Sequence, residues 1–170
     1  KKELNSSGGV VECIAKGLPA GLGEPVFDKL DAKLGQALFS LGAVKGVEIG
    51  DGFAASHSTS LSNNDAFILK DGKIAKATNH SGGVLGGMSD GSTLVVRAAF
   101  KPTPSIASTQ HTVNKSSEEI EINIEGRHDP IVVSRAVVVV EAMTALVLAD
   151  LLLQNSVSRL DNLKKIYDIK

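Results

Sequence analysis

A cation, an imidazole and a carboxylate, Arg127, His128 and Asp129, stand in consecutive positions between Gly126 and Pro130. A guanidinium there can hold an anion, and a carboxylate beside it can move a proton. The Pro130 ring fixes its own φ and pushes Asp129 towards extended geometry, so the segment reads as a stiff turn between two ordered elements. Turns of that kind often carry binding and catalytic groups. The plainer reading is an Arg127–Asp129 pair across a surface turn, and the residues alone leave both readings open.

A second candidate is Lys101-Pro102-Thr103-Pro104-Ser105, where two prolines stiffen a loop that offers one cation and two hydroxyls. That combination suits a phosphate, although a solvated strand end would look the same. Glycine clusters at Gly50-Asp51-Gly52 and from Gly82 to Gly87 allow close backbone approach to anions or flat rings, or are simply turns. Neither ends in Gly-Lys-Ser/Thr, and neither opens a helix after a strand as a dinucleotide fingerprint does. The histidines His57, His80, His111 and His128 lack metal-site spacing, so no metal is expected. Cys13 is the only cysteine and reads as a small core residue in a reducing compartment.

The elements that must position these groups follow from pattern. In 170 residues with 42% apolar content, a formal net charge of -1 suits one globular domain with no long-range pull on nucleic acid or an anionic membrane. The chain begins Lys1-Lys2-Glu3-Leu4, without a charged-then-apolar leader, so no signal or transit peptide is expected and a cut from something longer is. Val10 to Ala15 predicts a strand. Pro25 suits a first helical position, and Val26, Phe27, Leu30, Leu34, Leu38 and Leu41 recur on one helical face, with Gly42 as the stop. Val44 to Ile49 predicts a strand, Ser56 to Asn64 a polar loop, and Asp71-Gly72 a type I′ hairpin between Phe67–Lys70 and Lys73–Ala75. Strands are expected from Thr93 to Phe100 and through Ile120, Ile122 and Ile124, the latter with one wet face. The run Ala136 to Leu153 reads as a helix capped by Ser134. Glu141 and Asp150 argue against a membrane span and, lying on opposite sides, predict a helix covered on most sides. Strands alternating with two such helices give an α+β layered fold.

Taken together, the ordered segments resemble the chorismate synthase family. They are Gly8-Gly9-Val10-Val11-Glu12, Gly21 to Asp31, Ala43 to Phe53, Asn63-Asn64-Asp65, Asn79-His80-Ser81-Gly82-Gly83, Gly126-Arg127-His128-Asp129-Pro130, Arg135-Ala136-Val137 and Glu141-Ala142-Met143. The match covers the carboxy-terminal half of that family, with residues 1–170 as a single domain and the amino-terminal half, its histidine-bearing signature and its substrate-holding arginines absent. Gly42 stands where many relatives have asparagine, Ile131 where many have cysteine, Val138 where many have proline, and Asn5-Ser6 where Asp-Ser is usual.

The resemblance implies about half of a β-α-β sandwich with helices packed between antiparallel sheets, assembled as a homotetramer in the cytoplasm. It implies a lyase of the shikimate pathway, in aromatic amino acid biosynthesis, acting on a small phosphorylated substrate, 5-enolpyruvylshikimate 3-phosphate, with reduced FMN and with NADPH as a reductant in some settings. Carried over by position, the flavin contacts are Gly42, Ala43, Gly86, Lys101, Pro102, Thr103, Pro104, Ser105 and Arg127. Asp129 becomes the proton-handling carboxylate and Arg127 the group that stabilises charge near the bound anions. Without its other half the chain is expected to be inactive. The alternative is a non-catalytic domain for oligomerisation or anion binding.

Overall fold

A computed structural model describes residues 5–124, 126 and 129–168. In chain order the elements are β1 (Gly9–Ala15), α1 (Leu30–Phe39), β2 (Val44–Ile49), a 3-10 turn (Gly52–His57), α2 (Ser60–Asn63), β3 (Phe67–Lys70) and β4 (Lys73–Lys76). There follow β5 (Val84–Leu85), β6 (Met88–Ser89), β7 (Leu94–Phe100), β8 (Gln110–Val113), β9 (Glu119–Ile122), α3 (Val133–Val157) and α4 (Leu160–Tyr167). This is an α+β arrangement.

The central sheet is antiparallel in the order β1-β7-β2, with Val11 opposite Ala98 and Val44 opposite Phe100. Alternation along β7 sends Leu94, Val96, Ala98 and Phe100 to one face, where all four are buried. That face is covered by α1, through Leu30, Leu34 and Leu38, and by α3, through Ala136, Val140, Thr144, Leu148 and Leu151. A Cβ on Gly9 would overlap Val133, so glycine there lets α3 settle onto β1.

Several expectations need correction. Helix α1 begins at Leu30, because Glu24 and Asp28 exchange two backbone hydrogen bonds, 2.8 and 3.0 Å, and make Pro25 to Phe27 a turn. Val26 and Phe27 are therefore exposed rather than part of the buried stripe. The Leu30 N–H instead donates to the Gly87 carbonyl at 2.7 Å. After α1 the left-handed residue is Ala43, φ 70°, and not Gly42. The expected loop from Ser56 to Asn64 contains the end of the 3-10 turn and α2, which Thr59 and Ser62 nucleate by a reciprocal capping box.

Ser134 lies inside α3, whose N-cap is Val132 with no side-chain cap, and the helix runs on to Val157. Its valine tetrad is helical because Ala136 and Val140 seat it on the sheet. The helix is covered along one stripe rather than on most sides: Val138, Leu146 and Leu153 stay 64–68% exposed, and Glu141 and Asp150 are exposed as well. By length and mean hydropathy, 2.3, α3 could cross a bilayer, yet its buried stripe serves a packed core. Strand β9 pairs with an unforeseen β8, and Ile120 on its expected dry face is 37% exposed. The Asp71-Gly72 hairpin forms as read, with φ 52° and 73°.

Candidate functional site

One end of the central sheet gathers most of the candidate residues. Where β7 ends at Phe100, the Lys101 N–H donates to the Ala43 carbonyl at 2.8 Å, which ties the Lys101–Ser105 loop to Gly42-Ala43. The Ser6 hydroxyl donates to the Thr103 carbonyl at 2.6 Å, and the Ser7 N–H donates to the Pro130 carbonyl at 3.0 Å. Gly8 fits between them because a Cβ would strike the Phe100 carbonyl and Pro102. Ser6 and Ser7, just ahead of β1, thus stitch the proline loop to the segment that carries Asp129.

At that end an apolar slot of about 250 Å³ opens beside Gly42, Ala43, Phe100, Val132 and Arg135. The Arg135 guanidinium donates from Nη1 to Asp129 Oδ2 at 2.7 Å. Asp129 therefore pairs with a cation on α3. Among the described residues, Thr103 Oγ1 is buried without a hydrogen-bond partner, and nothing lies within 4 Å of a Cβ built on Gly42. The orphaned hydroxyl and Lys101 lie on the loop tied to Gly42-Ala43 rather than in the lining of the slot, and a buried hydroxyl without a partner is a group that an anion could satisfy once the loop opens to it.

Gly86 is not part of this cluster. It turns the β5–β6 hairpin with φ 62°, beside the start of β7, about 20 Å of strand away. Arg127 and His128 lie outside the described residues. Among the described residues no group of three or more histidine, cysteine, aspartate or glutamate side chains could hold a metal ion.

Sequence reasoning passed over a second polar cluster near the other end of β2. His80 Nδ1 meets Asp51 Oδ2 at 2.6 Å, with both side chains about one-third exposed. Asp65 accepts from the N–H groups of His80 and Ser81, at 2.8 and 2.9 Å, and from the Thr78 hydroxyl at 2.7 Å. Burial by itself would raise the Asp65 pKa, but those bonds together outweigh it and hold the carboxyl at about 2. Burial likewise pushes Asp90 up, while bonds from Lys76 and the Ser92 N–H bring it below the ordinary value. Lys76, Asp65 and Asp90 form a closed ionic core with side chains no more than 7% exposed, beside a cavity of about 620 Å³. The Asn63-Asn64-Asp65 and Asn79-His80-Ser81 segments entered only as matches to the family pattern, and their pairing across the chain is a property of the fold.

Comparison with known proteins gives a consistent result. A sequence profile of the family described as chorismate synthase matches residues 1–153. A chorismate synthase of Agathobacter rectalis is 66% identical over 166 residues, which is 98% of this chain and 45% of that protein. One of Archaeoglobus fulgidus is 60% identical over 152 residues, 89% of this chain and 42% of that protein. A crystal structure of a chorismate synthase superposes with a TM-score of 0.73 at 33% identity, covering 98% of this chain and 44% of that one. The chain thus spans less than half the length of the relatives it matches.

Proposed function

The chain belongs to the chorismate synthase family, and on that premise we propose that it forms the carboxy-terminal part, residues 1–170 as one domain, of an enzyme that makes chorismate. The reaction is an anti elimination of phosphate and a ring hydrogen from 5-enolpyruvylshikimate 3-phosphate. The observation that carries this reading is the 66% identity to a chorismate synthase over 98% of the chain. The cofactor is reduced FMN, with NADPH as a reductant, in a cytoplasmic homotetramer. When bound, reduced FMN supplies electron density that is returned within the turnover, so there is no net oxidation or reduction.

This chain's own residues bind and position. Lys101 and Thr103 would hold the flavin phosphate with the backbone of Pro102, Pro104 and Ser105. Gly42 and Ala43 would line the ring, and Gly86 would contribute from a different part of the assembled site. Asp129 would accept a proton on the side of the departing hydrogen, and Arg127 would stabilise charge on the bound anions. The fit rests on the tied Ala43–Lys101 loops and on the unpartnered Thr103 hydroxyl. A span of 45% of a relative's length favours a second description of the chain by itself, a binding unit without elimination activity.

The test is FMN titration of the purified chain by fluorescence quenching and calorimetry, with Lys101→Ala and Arg127→Ala alongside. Saturable binding weakened by both substitutions is expected. Binding that ignores Lys101 would remove the phosphate assignment, and chorismate formation by the isolated chain would overturn the binding-unit description.

A further inference from the structure

Arg135 stands in the first turn of α3, where the helix dipole is positive and no side chain caps the end. A cation there is electrostatically misplaced unless an anion answers it. Asp129 answers it now, with Oδ2 at 2.7 Å from Nη1. The Arg135 side chain is nonetheless 76% exposed and that of Asp129 38%, so the pair sits at the surface and has not been closed over by the fold. Exposed pairs of this kind are weak and exchange partners readily.

The same guanidinium rims the slot of about 250 Å³, which Gly42 and Ala43 line together with Leu41, Phe100, Val132, Ala136 and Val139, so a ligand in it lies against the backbone assigned above to the flavin ring. Apolar walls with one cation at the mouth suit a small amphipathic anion, with an apolar ring inside and a planar carboxylate at the guanidinium. The partner already in place shows the chemistry that Arg135 takes, because a carboxylate occupies it. We propose that Arg135 is the carboxylate-binding residue of this slot, and that a ring carboxylate displaces Asp129 from it.

The exchange makes no covalent bond. One carboxylate replaces another on the guanidinium, and Asp129 is left without that partner and beside the ligand. The slot stands on the geometry alone. The consequence for Asp129 rests on the function proposed above, since a carboxylate released next to a bound ring is placed to accept a proton only when the substrate is present. Arg135 would thereby couple ligand arrival to the availability of the base.

Benzoate is a suitable probe, with benzyl alcohol as the uncharged control, titrated into the isotope-labelled chain while the Arg135 Nε–H resonance and ligand saturation are followed. Benzoate is expected to bind and shift that resonance, and benzyl alcohol to bind markedly less. Arg135→Ala should weaken benzoate by about two- to fivefold, as for loss of an exposed charge partner, and Arg135→Lys should fall between. Asp129→Asn should tighten benzoate, because the resident competitor is gone. A purely structural ion pair would give the opposite sign, with both Arg135→Ala and Asp129→Asn weakening it. Thermal melts establish that each variant is folded, and Arg135→Lys carries the test if Arg135→Ala is not. Absence of benzoate binding, equal binding by folded Arg135 variants, or weakening in Asp129→Asn each overturns the proposal. FMN titration of the same samples separates the two readings, since loss of flavin binding with the benzoate pattern intact removes only the flavin assignment.

Discussion

At Asp65, burial and hydrogen bonding pull one carboxyl group in opposite directions, and the three donors from Thr78, His80 and Ser81 prevail. Its folded pKa of about 2 lies below the ordinary 3.8. The ionised form is therefore the one that the fold prefers, and the stability this gives is complete above about pH 4 and is lost as pH falls through about 2. The shift corresponds to on the order of 2 kcal/mol. Asp65→Asn should lower stability by about that much at pH 7, since an amide nitrogen would face the Ser81 or His80 N–H, and should flatten the acid limb between pH 4 and 2. Urea midpoints of both proteins at pH 7 and pH 3 check it, and parallel curves would show that Asp65 does not titrate as stated. Little of this was legible beforehand. The segments bearing Asp65 and His80 matched the family pattern, but only folding brings the three donors to one carboxylate. Arg135 was matched as part of the family signature but given no site role, for a related reason: a helix start capped by Ser134 hides the fact that the guanidinium lies inside the first turn and reaches back to Asp129.

Among the elements, strand and hairpin periods were readable because alternation is local, as β1, β2, β7 and the Asp71-Gly72 turn show. Register was not, since Val44 opposite Phe100 depends on a pairing that no local pattern encodes. The glycine clusters illustrate the difference. Gly50 and Gly82 both have positive φ, and each occupies the space where the other's Cβ would go. Their composition suggested a turn or an anion site, whereas their structural task is to let two backbones touch. Gly82→Ala should destabilise by about 3 kcal/mol or more, combining left-handed strain with a backbone clash. Gly35→Ala, in the interior of α1 with nothing within 4 Å of its Cβ, should instead stabilise by about 1 kcal/mol. Chemical denaturation of the two variants side by side decides this, and equal effects would refute it. Helix α3 offers a third case. Thr144 is 2% exposed at the junction of the two core clusters, and its hydroxyl has no partner. Thr144→Val removes a buried unsatisfied group at little cost in shape, so a gain of about 1 kcal/mol and a Tm higher by roughly 2–4 °C are expected. A lower Tm on calorimetry would mean that the hydroxyl is used.

For the whole molecule, the apolar run of α3 announced a buried helix but could not say which surface would bury it. The sheet and α1 take one stripe, and Val138, Leu146 and Leu153 are left facing outward at 68, 64 and 68% exposure. A contiguous apolar face of that kind is uncommon on a monomer in water. The relatives are more than twice as long as the part this chain matches, so in isolation the face lacks whatever the remaining length supplies. Water is then the only alternative to a second copy, and hydrophobic burial at about 25 cal/mol per Å² favours the copy once a few hundred Å² can be covered. The purified chain should therefore associate as its concentration rises, and Leu146→Lys with Leu153→Lys, both on the outward side and outside the buried stripe, should shift it towards monomer without loss of helical circular dichroism. Sedimentation velocity across a concentration series reads this directly. A single monomeric species at every concentration would show that the outer face of α3 is tolerated in water, and an association that the double substitution leaves unchanged would place the contact elsewhere on the chain.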